Sequence, residues 1–305
     1  MPFPALLRSA DPRVSGLAAS FAAYLCWGFL PLYWRMLSAA GSVEVIAHRI
    51  VWTVVVLALF FTLTGRMGEL RRALGALRRR PALFGLVAMA AATAATNWWI
   101  HVYAVQAGRV MELGIGMFLT PLLSVLLGCL VFGERFTRLR LAAFLFAAAG
   151  VAILAGGYGR TPWVAVGVST TWAAYGAFKK RITFSAWTSN AIESGLLAGF
   201  ALAWLIHLAL AGESSFGPEA PGLSLALAGT GVVTLIPMVA FAYAARALPL
   251  YLLGFCQFLN PILTVLVGCF ILKEPYNPAY TMPLAAIGVA VALFVASETA
   301  EWRRR

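Results

Sequence analysis

The chain has 305 residues, 62% of them apolar and only 11% charged, with a net charge of +12. A soluble domain carries about 25% charged residues, so the composition excludes a water-exposed globule and points to a chain solvated by lipid. The basic residues sit in short clusters between apolar runs, with no basic face interleaved with aromatics, which argues against nucleic acid as a partner and reads instead as topology determinants.

From the N terminus, a short tail carries Arg8 and Arg13, and the first apolar run is longer than a cleavable leader would have, so it is expected to remain as a span. A helical span needs about 20 mainly apolar residues, and the predicted spans are 15–37, 42–64, 83–105, 112–132, 139–157, 162–178, 187–210, 222–245, 249–271 and 279–297. They must be helices, because backbone groups in lipid have to satisfy one another within the segment. The connection after the second span carries Arg66, Arg71, Arg72, Arg78, Arg79 and Arg80. Arg135, Arg138 and Arg140 follow the fourth, Lys179, Lys180 and Arg181 the sixth, Arg246 the eighth, and Arg303, Arg304 and Arg305 end the chain. With ten spans all of these fall on one side, against Arg35, Arg109, Arg160 and Lys273 on the other, so both termini are expected in the cytoplasm. The fold class is therefore an all-α integral membrane protein of ten transmembrane helices. Cys26, Cys129, Cys256 and Cys269 lie inside apolar runs without metal-ligand spacing, so packing roles are expected and neither disulfide nor metal.

The chain repeats itself. Residues 117–136, MFLTPLLSVLLGCLVFGERF, align without gaps on residues 257–276, QFLNPILTVLVGCFILKEPY, at an offset of 140. Pro121, Gly128, Cys129 and Glu134 recur as Pro261, Gly268, Cys269 and Glu274, which chance apolar similarity does not place in register. Span four maps onto span nine, so each unit holds five helices, and an odd number inverts the second unit. The expected organisation is a cytoplasmic tail (1–14), a first five-helix repeat (15–157), a second, inverted one (158–298) and a basic cytoplasmic tail (299–305). Inverted repeats are a transporter architecture in which rocking of the halves gives alternating access to a site near the midplane.

The segments YLCWGFLPLYWRML (24–37), EVIAHRIVW (44–52), residues 97–136 and ARALPLYLLGFCQFLNP (245–261) are similar to the signatures of RarD-type permeases, in the EamA branch of the drug/metabolite transporter superfamily. That resemblance implies ten helices in two inverted repeats, export of small metabolites or drugs across a bacterial inner membrane, and kinship with YddG-type amino-acid exporters. The chain departs from the family pattern at Met117 and Thr120, both expected near the cavity.

Trp27, Trp98, Trp172 and Tyr175 fall well inside their spans, whereas Trp and Tyr prefer the interface. Any one ring alone reads as packing; the four together read as cavity walls that would contact the apolar part of a substrate. Asn97 and His101 share a face at i, i+4, and Gln257 and Asn260 at i, i+3. Their polar groups either bond neighbouring helices or orient substrate. His48 and Arg49 lie about two turns into span two. Arg49 needs a carboxylate, with Glu44 and Glu112 at compatible depth, so these four form either a structural ion-pair group or an outer gate and substrate anchor. Arg109 and Glu112 read as a fold-stabilising pair, and Glu134 and Glu274 as capping groups. Pro121 and Pro261 read as matched hinges, and Gly28 and Pro31 as an interruption of span one.

No span contains Asp, and no Walker A loop is present, so no cofactor and no ATP drive are expected. The reading is a monomeric facilitated exporter of amino acids, aromatic ones included, whose partners are the small-molecule substrate and the lipid bilayer. A proton-coupled multidrug permease using His48 or His101 is the alternative. An enzyme is not expected, because no nucleophile–base pair, carboxylate pair or metal cluster appears.

Overall fold

The computed structural model describes residues 11–302 except 108, 136, 157–161, 272, 274–277, 279 and 280. The described residues contain no strand. The helices are α1 (Pro12–Met36), α2 (Ser42–Leu63), α3 (Met67–Arg79), α4 (Pro81–Gln106), α5 (Val110–Phe132), α6 (Arg138–Gly156), α7 (Trp163–Arg181), α8 (Ala186–Ala211), α9 (Pro221–Ala247), α10 (Leu250–Gln257), α11 (Leu259–Leu266) and α12 (Thr281–Trp302), with a π-turn at Val267–Ile271 after α11. Local chemistry sets the ends. The Asp11 carboxylate caps α1 by accepting from the Arg13 N–H at 2.9 Å, with Pro12 in the first turn. Gly133 and Gly212 end α5 and α8 in the left-handed conformation that glycine adopts without a Cβ penalty.

Among the described residues, nine helical segments are long and apolar enough to cross a membrane, with α10, α11 and the π-turn forming one of them. Phe200 is 81%, Leu210 85% and Leu130 74% exposed, and side chains of that kind on an outer surface belong against acyl chains. The predicted sixth span is the helix outside the nine. It is α7, which packs against α4, α5 and α9. Its Ser169 and Lys179 are buried by those neighbours, so these positions face protein and need not be apolar.

The remaining contacts bind one end of the chain to the other. Helix α1 packs on α9 and α11, α2 on α8 and α9, α4 on α8, α5 on α10, and α6 on α12. Close approach depends on glycine where two backbones meet. A Cβ at Gly254 of α10 would lie 2.9 Å from the Pro121 carbonyl oxygen of α5.

Several sequence expectations are corrected here. Helix α1 runs unbroken through Gly28 and Pro31. Pro121 lies inside a continuous α5, whereas span nine breaks between Gln257 and Leu259, ahead of Pro261, and ends in a π-turn. Gly254 packs against α5 at Pro121 and Gly116 packs against the Ala165 backbone of α7, and these contacts hold α5 on both sides of its proline. Lys179 is a buried helical residue and not a loop charge: its ammonium lies 2.7 Å from the Glu193 carboxylate. Arg140 is 4% exposed and pairs with Glu298, which also holds Arg13. Glu134 accepts from the backbone N–H groups of Leu250 and Tyr251 and so caps α10. Glu274 and Arg160 lie outside the described residues.

The arginine-rich connection after span two also contains more order than a loop. Met67, Leu70, Leu74 and Leu77 recur at helical spacing, and the segment forms the amphipathic helix α3. Glu69 docks it: its carboxylate accepts from the hydroxyls of Ser185 and Thr188 at the start of α8, and pairs with Arg66 at 2.6 Å. Burial pushes the Glu69 carboxyl up, but the Ser185, Thr188 and Arg66 contacts outweigh it and hold it at about 2 instead of 4.5. A depressed carboxyl contributes stability that is complete above about 4.5 and is lost as pH falls through 2. Glu69→Gln is therefore expected to lower the melting temperature of the detergent-solubilised protein at pH 7, with the gap to wild type closing below pH 4.5. A gap that is the same at pH 7 and pH 3 contradicts this account.

Candidate functional site

Helices α1, α2, α4, α5, α7, α10 and α11 surround a cavity of 480 Å³ that reaches the turn between α1 and α2 at Ser38, Ala40 and Ser42. Helix α1 supplies a ring stripe because Tyr24, Trp27 and Trp34 are spaced to fall on one face. All three line the cavity. Helix α4 supplies Asn97, Trp98 and His101, α7 supplies Trp172, and the broken span nine supplies Gln257 and Asn260. Of the substrate-contact candidates, only Tyr175 is placed elsewhere. Met117 and Thr120 also line the cavity.

The polar groups divide into those already bonded and those free. The Asn97 amide donates to the Val168 carbonyl at 2.8 Å and the Thr171 hydroxyl at 3.0 Å, tying α4 to α7. Gln257 and Ser124 exchange hydrogen bonds at 3.0 and 3.2 Å, tying α10 to α5. His101 places Nδ1 2.8 Å from the Asn97 carbonyl oxygen. A carbonyl only accepts, so Nδ1 carries a proton. Among the described residues, the buried Asn260 Oδ1 has no hydrogen-bond partner.

Arg49 is the one formal charge lining the cavity among the described residues. Its Nε donates to the Thr234 hydroxyl of α9 at 3.1 Å. Its guanidinium carbon lies 5.0 Å from the centre of the Trp34 ring and 4.9 Å from that of Trp98, a double cation–π contact. No carboxylate lies within ion-pair distance of it among the described residues. Both expected partners are committed elsewhere. Glu44 accepts from the Ser215 N–H at 2.7 Å and lies 4.0 Å from His48. Glu112 pairs with Arg109 at 2.6 Å and accepts from the Val164 N–H. His48 accepts from the Trp52 indole N–H at 3.3 Å and stacks on Phe216. The proposed four-residue group is thus split, and Arg49 alone faces the cavity.

At its inner end the cavity meets packed rings. Trp27 touches Tyr24, Trp172 and Phe241 at centroid distances of 5.3, 5.3 and 5.7 Å. Tyr175 sits behind them, fully buried, stacked on Phe241 at 5.7 Å, with its hydroxyl donating to Glu193 at 3.1 Å. Trp34, Tyr24, Thr234 and Phe241 were not singled out from the sequence. The ring stripe on α1 carried a signal for the first two; Thr234 and Phe241 carried none.

Residues 14–156 match the EamA-like transporter family. The chain is 36% identical over 272 residues to the protein RarD of Streptomyces exfoliatus, covering 89% of this chain and 85% of that one. It is 33% identical to YojE of Bacillus subtilis, described as an uncharacterized transporter, with 95% and 96% covered. It is 30% identical to RarD of Escherichia coli, with 92% and 93% covered. A solved crystal structure 20% identical in sequence superposes with a TM-score of 0.71 over 92% of this chain and 96% of that one, and shares the fold.

Proposed function

We infer, from the premise that this chain belongs to the RarD-type permeases of the EamA-like transporter family, that it is a facilitated exporter of amino acids, aromatic ones included, in a bacterial inner membrane. The observation that carries the substrate class is the cavity itself. Trp27, Trp98 and Trp172 present rings to an apolar side chain, and Arg49 presents to a carboxylate guanidinium N–H groups that bond none of the described residues.

The mechanism is alternating access by two inverted halves of five spans, with α7 as the tenth crossing and both termini cytoplasmic. The packing supports it. Exchanging the halves carries the α1–α9 contact onto α7–α4, α2–α9 onto α8–α4, and α5–α7 onto α11–α1, while α2–α8, α5–α10 and α6–α12 map onto themselves. In that frame the cavity opens outward at the α1–α2 turn and the rings of Trp27, Trp172, Tyr175 and Phe241 close the inner path. The transporter acts as a monomer in lipid, with a small-molecule substrate as its partner.

Purified protein in liposomes loaded with mixed amino acids is expected to release aromatic ones at a rate that an imposed proton gradient does not change. Release that depends on the gradient moves the reading to the proton-coupled multidrug alternative. No amino-acid release from oriented, folded protein overturns the substrate class.

A further inference from the structure

The charge of the cavity says more about its ligand than its shape does. We infer that the site selects for a carboxylate and not for an amino group: it takes amphipathic monocarboxylates with or without an α-ammonium, and it rejects amphipathic cations. This rests on the reading of the cavity as the substrate site and narrows it.

Three observations carry the inference. Arg49 is a lone cation in the lining; no Asp or Glu lines the cavity among the described residues. The guanidinium is fixed in place by Thr234 on one edge and by the rings of Trp34 and Trp98, while its two terminal nitrogens make no hydrogen bond to the described residues. Arginine offers a planar fork that matches a carboxylate with two parallel N–H bonds, and here that fork is built, oriented and left open. An arginine with no acid partner in a low-dielectric wall is expensive unless a ligand anion completes it. Nothing in the lining offers an ammonium an opposite charge, so a ligand that is only a cation meets the uncompensated field of Arg49.

Three ligands that share one ring and differ only in charge test this on the wild-type chain: 3-phenylpropionate, phenylalanine and 2-phenylethylamine. Each is titrated into the detergent-purified full chain by calorimetry, with tryptophan fluorescence as a second reading because Trp34 and Trp98 flank the guanidinium. Phenylpropionate is expected to bind at least as tightly as phenylalanine, and phenylethylamine about 10- to 100-fold more weakly, the span that a hydrogen-bonded charge contributes. Arg49→Gln is expected to weaken both carboxylates by a similar factor and leave phenylethylamine unchanged or tighter, with Arg49→Lys in between. Phenylethylamine binding as tightly as phenylpropionate overturns the inference, as does phenylpropionate failing to bind where phenylalanine does, or none of the three binding at millimolar concentration. The wild-type comparison stands even if an Arg49 variant fails to fold. Amino-acid flux in liposomes that phenylpropionate does not inhibit refutes the inference and spares the exporter reading. Arg49-dependent phenylpropionate binding without amino-acid flux does the reverse.

Discussion

Glu193→Ala is expected to destabilise the protein by about 3–5 kcal/mol, the cost of leaving a buried charge without its partner. Lys179 is 1% exposed and its ammonium has two acceptors, Glu193 Oε1 and the Ser189 hydroxyl, each at 2.7 Å. Removing the carboxylate leaves a cation between α7 and α8 with one hydroxyl, and also frees the Tyr175 hydroxyl and Ser189. The charge, and not the lost contacts, dominates this cost, so the double variant Lys179→Met/Glu193→Leu is expected to recover most of the stability. Thermal unfolding in detergent reads both. A Glu193→Ala protein that melts with wild type, or a double variant no better than the single one, shows that the pair does not hold this region together. Tyr175 links the same network to the ring cluster under the cavity, so a loss here is also expected to lower flux.

Gly231→Ala is expected to cost about 1–3 kcal/mol through overpacking and to depress transport as well. An added Cβ would stand 2.5 Å from the Trp52 carbonyl carbon and 2.6 Å from its oxygen. These are backbone atoms of α2 and cannot rotate away, so α2 and α9 must separate. The bond from Arg49 to Thr234 bridges the same two helices one turn further along, and the separation pulls the guanidinium off its anchor. Gly85→Ala on α4 is the control, because nothing lies within 4 Å of its Cβ position. Equal melting temperature and equal flux for the two variants would remove α2–α9 contact as the determinant of Arg49 position.

Much of the site was legible because polar and aromatic residues in the middle of apolar spans are rare and costly. Asn97, His101, Gln257, Asn260 and the deep tryptophans stood out on that ground, and the structure gathers them around one cavity. Which of their atoms remain free was not legible. The Asn97 amide and Gln257 are consumed in joining helices, whereas Asn260 Oδ1 is not. Depth along the spans offers Arg49 either Glu44 or Glu112 as a partner. Depth along a span cannot tell that Ser215 draws Glu44 toward the α8–α9 connection, whereas the claim of Arg109 on Glu112 one turn away is legible in their i, i+3 spacing.

The sequence by itself determined the medium, the helical class, nearly every helix position and the relation between residues 117–136 and 257–276. These follow from hydrophobic length, from backbone satisfaction in lipid and from turn chemistry, which are all local. Only the tertiary structure decided which charges are buried. Lys179 and Arg140 read as loop cations because their neighbours in sequence are basic, yet Glu193 and Glu298 reach them from other helices and make burial tolerable. It also decided that α7 can run through the bundle with less apolar character than its neighbours. The face of α7 that carries Ser169 and Lys179 is covered by protein and so solvated by side chains, and that solvent is set by packing partners far away in the chain.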